Sequence, residues 1–493
     1  MSAYQIVNGD MLEVLKDYRD NSFDALLCDP PYGFKFMGKG WDYSVPTVAQ
    51  WAECLRVLKP GAPLVAFGGS RTYHRLACAV EDAGFELRDQ LCWLYAKGFP
   101  KSQNISLAID KFFGMERRVV GTRTLTGNAA VSLKDKGGTY GVQVGTVPPK
   151  TIDVTAPATE LAQEWDGWGT ALKPGHEPIV LARKPLDGTM VANVTRWGVG
   201  GLAIDACRIG SEGGTKQVDC GPSPATNAYG SGLHGVTAVP LNDGRWPANL
   251  VFSHSDRCTL LGTEPGHGYA RNRQTDGAHP FGNAAGSEFT SEAIAETVEV
   301  WQCTEDCPVR IFDAEVGPRA SGVAVRRNGG GENLFSGLKS NSSYVLPRIV
   351  GKPDVGYLDG KTNPSRFFFS SKVSTKEREA GCEGLALRSA GEVTEREDET
   401  AGLNSPRAGA GRTGGARNHH PTLKPIGLTT WLAKLIAPPV PGAILVPFAG
   451  SGSEMIGCLK AGWGAVVGIE REAEYIEIAR ARLKHWCPES EGE

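Results

Sequence analysis

Asp29, Pro30, Pro31 and Tyr32 stand together at the end of the apolar run Ala25-Leu26-Leu27-Cys28, and Gly33 follows them. Feeding a buried run straight into a carboxylate, two prolines and an aromatic is costly unless the residues have a task. Asp29 can accept a hydrogen bond from an amine. The carbonyl of Pro30 can accept a second, and the two proline rings stiffen the backbone that presents it. Tyr32 offers a face on which a planar ring can stack, and Gly33 allows close packing beside that ring. Such a set orients a planar amine without bonding to it covalently. It also favours the charge pattern of a transition state over that of the ground state.

A second constellation lies at the other end of the chain. Ala443-Ile444-Leu445-Val446 runs through Pro447 into Phe448-Ala449-Gly450-Ser451-Gly452, and Glu470 closes the next apolar run eighteen residues after Gly452. Glycines let a backbone approach a ligand with no Cβ in the way. A carboxylate at the end of the following strand can accept hydrogen bonds from both ribose hydroxyls. The third glycine of a dinucleotide fingerprint is missing, and so is the Gly-Lys-Ser/Thr of a phosphate loop. An adenosyl ligand is therefore favoured over a cofactor with a pyrophosphate.

Both constellations need a rigid frame. Strands are expected at Tyr4–Val7, Ala25–Cys28, Leu64–Phe67, Ala443–Val446 and Ala465–Glu470. Helices are expected at Met11–Tyr18, Val48–Leu58, Tyr73–Ala83, Pro425–Ile436, Ser453–Ala461 and Glu472–Leu483. The apolar spacing of Val48, Trp51, Leu55 and Leu58, stopped by Lys59-Pro60-Gly61, is typical of them. Phe85–Tyr95 and Pro178–Ala182 suit an antiparallel pair. This order predicts an α/β protein with a doubly wound, mostly parallel sheet. The C-terminal stretch is too short for a core of its own, so it should complete the N-terminal sheet.

Between these stretches the texture changes. Glycine, serine, asparagine and arginine are frequent, and runs such as 210–214 and 282–286 read as loops. The expected division is 1–185, a loop-rich insert at 186–404, and 405–485 comprising a flexible linker at 405–415 and the glycine-turn half. The chain of 493 residues has 41% apolar and 22% charged residues and a net charge of -3, which argues against a protein that coats nucleic acid but leaves local basic patches open. Such patches include Arg117-Arg118, Arg326-Arg327 and Arg407 to Arg417. No apolar stretch is long enough to span a membrane, and Met1-Ser2-Ala3-Tyr4 does not open a signal peptide. A cytoplasmic protein without a membrane partner is expected. Twelve cysteines then read as thiols or metal ligands rather than a disulfide framework.

The two constellations, in this order, resemble those of the beta-type amino DNA methyltransferases, in particular their phage-like and prophage-like adenine-specific enzymes. The similarity covers about residues 4–98, 172–185 and 418–483. It includes the segments Trp93 to Ser102, Leu172 to Pro178, Gly244 to Asn249 and Asn363 to Phe367. It implies a SAM-dependent methyltransferase sheet with circularly permuted motif order. The activity implied is methyl transfer from S-adenosylmethionine (SAM) to adenine N6 of a base flipped out of double-stranded DNA.

In that reading Asp29, Pro30, Pro31 and Tyr32 are catalytic. Phe448, Gly450, Ser451, Gly452 and Glu470 bind the cofactor, joined by Asp10, which would meet its adenine, and by Lys424. Asp10 also suits a helix cap, and Lys424-Pro425 a helix start. Pro447 stands where the family usually has Asp. Phe34, Phe36, Trp41 and Tyr43, with Lys35 and Lys39, suit a loop that closes on the target strand, and Arg71 suits a phosphate contact. The insert would read the sequence. Cytosine N4 is the nearest alternative target, and a non-catalytic homologue that binds SAM and DNA is another. A homodimer and a cognate restriction endonuclease are compatible further partners. No metal is assigned to the reaction. His254, Cys258, Cys303 and Cys307, in two pairs each four apart, suit either a structural zinc site or separately buried thiols.

Overall fold

In the computed structural model the described residues are 3–34, 40–95, 102–125, 150–209, 215–222, 234–240, 246–255, 257–265, 268–273, 289–294, 297–317, 365, 368–372, 375–388, 392 and 416–488. Lys35, Phe36 and Lys39, the glycine runs at 210–214 and 282–286, Arg326-Arg327 and the 405–415 linker lie outside them. The described part divides into two compact units. One comprises Met1–Ala203, Asn249–Asp256 and Ser371–Glu493, and the other Ile204–Ala248 and Arg257–Ser370.

The first unit is built on a nine-stranded sheet. In chain order its strands are β1 Tyr4–Asn8, β2 Ala25–Cys28, β3 Pro63–Phe67, β4 Glu86–Leu94, β5 His176–Arg183, β6 Leu250–His254, β7 Phe369–Lys372, β8 Ala443–Val446 and β9 Ala465–Glu470. In space they run β1-β9-β8-β2-β3-β5-β4-β6-β7. β5 lies antiparallel between β3 and β4, while β1, β9, β8, β2 and β3 are parallel. The fold is thus a mixed, Rossmann-like doubly wound sheet, as the strand and helix order predicts.

The last two strands of the chain sit between its first and second. Tyr4 pairs with Val466, Ile444 with both Val466 and Ala25, and Leu26 with Leu64. β2 and β3 are buried along their whole length, which is why they read as unbroken apolar runs rather than alternating ones. One face of the sheet, with Leu26, Cys28, Leu64, Ala66 and Leu445, packs on Trp51, Cys54, Leu76 and Val80. These come from α1 (Val48–Val57) and α2 (Tyr73–Asp82). α1 starts in a capping box in which Thr47 and Gln50 satisfy each other's backbone N–H. α3 (Ile426–Leu435) and α4 (Ser453–Lys460) pack on each other, with Gly457 set so closely against Thr429 that an added Cβ would lie 2.4 Å from its Oγ1. α5 (Ala473–Trp486) closes the chain.

Several elements depart from the sequence-based expectation, β7 among them, since it lies inside the 186–404 stretch and yet joins the sheet. The helix expected over Met11–Tyr18 is α-helical only at Met11–Val14 and tightens to a 3-10 turn at Leu15–Asp17. β6 falls inside the loop-rich 186–404 stretch, yet it joins the sheet beside β4, with Leu250 opposite Cys92. A helix at Met190–Trp197 also belongs to the first unit. None of the helices among the described residues is long and apolar enough to cross a membrane.

Candidate active site

In a parallel sheet the carboxyl ends of neighbouring strands form one edge, where open α/β folds bind ligands. Here β1, β9, β8 and β2 deliver Asp10, Glu470, the 448–452 turn and Asp29 to that edge, although the residues span nearly the whole chain. They line one cavity of about 910 Å³, formed entirely by the first unit. Pro30, Pro31, Tyr32, Lys424, Phe448, Gly450 and Ser451 line it as well. Gly452 does not. It takes the left-handed conformation (φ 82°) behind the turn and starts α4, where a Cβ would come within 3.2 Å of Ala479.

The Asp29 carboxylate is held from one side only. Its Oδ2 accepts a 2.7 Å hydrogen bond from the Lys424 ammonium, while its Oδ1 is buried without a hydrogen-bond partner. Lys424 is 3% exposed and also lies 3.3 Å from Glu177 Oε2, which accepts a 2.9 Å hydrogen bond from the Tyr32 hydroxyl. Burial works against the Lys424 charge, but the Asp29 and Glu177 carboxylates outweigh it and hold the ammonium above the ordinary lysine range. Burial, reinforced by the same two carboxylates, raises the Tyr32 phenol well above its usual value, so it remains a donor. Two carboxylates against one ammonium leave this group with one net negative charge.

Tyr32 is fixed from both directions. Asp42, buried in a short turn at Gly40–Asp42, accepts from the backbone N–H groups of Tyr32 (2.8 Å), Gly33 (2.9 Å) and Phe34 (3.2 Å). The Thr72 hydroxyl donates to the Tyr32 carbonyl at 2.7 Å. Phe34 meets Tyr32 edge-on, and the Arg71 guanidinium lies 4.5 Å over the Phe34 ring. Arg71, the expected phosphate contact, is thus an exposed cation at the cavity.

The glycine turn is tied to its acid. Glu470 Oε2 accepts from the N–H of Gly450 at 2.7 Å, and Oε1 from that of Glu472 at 2.8 Å. Each oxygen keeps a second lone-pair direction, as a ribose diol requires. Burial raises the Glu470 carboxyl above its usual range, with these N–H groups pulling it back. Gly450 has φ 51°, and a Cβ there would lie 2.9 Å from His420 Nε2, so no side chain fits. Burial pushes the His420 imidazole down to about 3. Its Nδ1 is 2.5 Å from the Thr422 carbonyl, which can only accept, so the neutral ring carries its proton on Nδ1 and turns Nε2 to Gly450. Asp10 caps the helix that begins at Met11, accepting from the N–H of Leu12 at 2.9 Å, and lines the cavity too.

Four supporting residues carry no site role in the sequence reading. Glu177 lies inside the segment Leu172 to Pro178 and Asp42 between Trp41 and Tyr43, but nothing local singles them out. Glu454 looks like an ordinary first-turn acid of α4. It is buried instead, and that burial, with the Asp29 charge beside it, pushes its carboxyl up to about 8, Lys424 pulling the other way. Arg482 is fully buried and donates to the Ser451 carbonyl (2.7 Å), Ser451 Oγ (3.1 Å) and Ser453 Oγ (3.0 Å). Its signal was available, since a basic residue stands on the apolar face of α5 in register with Tyr475 and Ala479.

No protein-family model matches this chain. It is 29% identical over 147 residues to the Type II methyltransferase M.HindIII of Haemophilus influenzae, a match that covers 22% of this chain and 48% of that one. It is 26% identical over 113 residues to the Type II methyltransferase M.HpaI of Haemophilus parainfluenzae, covering 21% and 35%. The chain therefore spans about half or less of the length of these curated relatives. Among solved structures it is similar to the M1.HpyAVI–SAM complex, with 12% identity, 97% of this chain and 100% of that chain covered, and a TM-score of 0.30. A likeness that loose bears on neither the fold nor the activity.

Proposed function

We propose that this protein transfers a methyl group from SAM to the exocyclic amine of a base in DNA, adenine N6 being the target. The observation that carries the proposal is the Asp29 carboxylate. One oxygen is clamped by Lys424, and the other is buried and unpartnered, in a cavity that it shares with the glycine turn and Glu470. A buried acceptor without a donor costs ~1–3 kcal/mol, which a ligand amine would recover. The match to two Type II methyltransferases, partial as it is, points the same way.

The cavity's donors and acceptors fit an adenosyl cofactor. Glu470 has room for both ribose hydroxyls, the absent Cβ of Gly450 opens the turn, and Asp10 stands at the strand end beside it. SAM, when bound, supplies a methyl group on a cationic sulfur that leaves as a neutral thioether. The chain's own residues do the rest. Asp29 Oδ1 and the Pro30 carbonyl accept the two amine hydrogens and aim the nitrogen lone pair. Tyr32 stacks on the base. As the N–C bond forms and the C–S bond breaks, the nitrogen becomes cationic. The net negative charge of Asp29, Glu177 and Lys424 stabilises it, and the surplus proton leaves through the Asp29 carboxylate. A volume of about 910 Å³ lies at the upper end of ordinary ligand pockets, which suits a cofactor and an extruded base together.

The Asp at the head of the motif favours adenine, because the resembled enzymes more often carry Ser there for cytosine N4. The stretch at 186–404, outside its contributions to the sheet, is the proposed reader of DNA sequence. A homodimer or a cognate endonuclease remains compatible with this role. The test is incubation with labelled SAM and plasmid DNA, followed by digestion to nucleosides. N6-methyladenine supports the proposal, and N4-methylcytosine keeps the mechanism but replaces the target. SAM binding without transfer to several diverse DNAs contradicts DNA as the substrate.

A further inference from the structure

Few apolar side chains are buried among the described residues of the second unit. Among its described residues the buried apolar side chains are Cys207, Ile209, Cys258, Cys307 and Val309. Three of these five are thiols, and two of them, Cys258 and Cys307, come from distant parts of its sequence. Strands Thr259–Pro265 and Thr297–Gln302 pair antiparallel, with Thr259 opposite Gln302. That register brings the preceding Cys258 and the following Cys303 side by side at the open end of the ladder. The chain then turns, with the Cys307 N–H donating to the Thr304 carbonyl at 3.1 Å, and Cys307 caps the helix Pro308–Val316. The three sulfurs lie within 4.8 Å of one another.

Neighbouring groups hold this arrangement. Arg257, next to Cys258, pairs with Asp306 at 2.9 Å, joining the two ligand-bearing loops. Arg310 donates to the Cys303 carbonyl at 3.2 Å. Cys307 stands at the N-terminus of the helix Pro308–Val316.

We infer that Cys258, Cys303 and Cys307 form a structural zinc site, with His254, four residues before Cys258 in the sequence, as the fourth ligand. Three thiolates and an imidazole are a soft, closed tetrahedral set suited to zinc. The chain segment Ser255-Asp256-Arg257 is short enough to keep the imidazole within reach of the sulfurs. Binding would displace the thiol protons and staple the end of the hairpin to the helix. The site is independent of methyl transfer and stands or falls separately from it.

The full chain, purified without chelator, should contain about one zinc per molecule by elemental analysis. After cobalt exchange it should show thiolate-to-cobalt charge-transfer absorption. Cys303→Ser/Cys307→Ser should lose the metal, whereas Cys78→Ser, at an exposed cysteine of the first unit, should keep it. His254→Ala should give up its zinc to a competing chelator more readily than the unaltered chain. Should the double variant fail to fold, the metal content and cobalt spectrum of the unaltered chain still decide. Substoichiometric zinc with no cobalt–thiolate band overturns the site, and so does metal retained in the double variant. Unchanged zinc retention in His254→Ala overturns the imidazole as its fourth ligand.

Discussion

At the scale of single residues, the site rests on one ammonium shared by two carboxylates. Lys424→Met would leave Asp29 and Glu177 facing each other at a mostly buried position without a counter-ion. Breaking a buried pair in this way costs ~3–5 kcal/mol, to be read from denaturant unfolding. Glu454 makes a separate prediction. Its folded value of about 8 lies above the ordinary 4.5, so the folded state binds the proton more tightly than the unfolded chain. Its contribution to stability is therefore fully present below about 4.5 and is lost as the pH rises to about 8. Melting temperature against pH should fall less steeply across that window in Glu454→Gln than in the unaltered protein. Parallel slopes would show that Glu454 does not titrate there.

At the scale of elements, the 448–452 turn works because β8 and β9 are neighbours, which brings Glu470 onto the Gly450 N–H. Gly450→Ala must fit a Cβ against His420 in a left-handed conformation, a strain of ~1–3 kcal/mol. Calorimetric titration should show SAM affinity falling by at least ~10-fold, with the thermal transition only modestly lowered. These elements were legible in the sequence because their signals are local. Ala443–Val446 and Ala465–Glu470 are strands over the residues expected, and Asp29 and Glu470 sit at strand ends as read. What was illegible depends on contacts between distant segments. Glu177 matters because β5 runs antiparallel beside β3 and brings it near Tyr32. Leu250–His254 becomes a strand by pairing with β4, in a stretch whose composition reads as loop. Glu454 has an ordinary first-turn acid's position and acquires its perturbed carboxyl only from burial.

At the scale of the whole molecule, the order of motifs along the chain is unrelated to their order in space. β9 is the partner through which β1 joins the sheet, and β8 is the link between β9 and β2. A chain cut after residue 415 would lose both, together with Lys424 and the glycine turn, and should show no cooperative thermal transition by circular dichroism. A sharp melt in that fragment would mean that the N-terminal half is a domain by itself. The same interleaving explains why the glycine turn and the Asp-Pro-Pro-Tyr motif, from opposite ends of the sequence, can share a cavity. The central claim is that Asp29 acts on the amine and not on the cofactor. The most direct measurement is methyl transfer by Asp29→Ala, made alongside its SAM affinity. The account predicts a loss of ~10²-fold or more in the rate with SAM binding retained within a few-fold. Transfer at an undiminished rate, or a loss of SAM binding as large as the loss of rate, would contradict it.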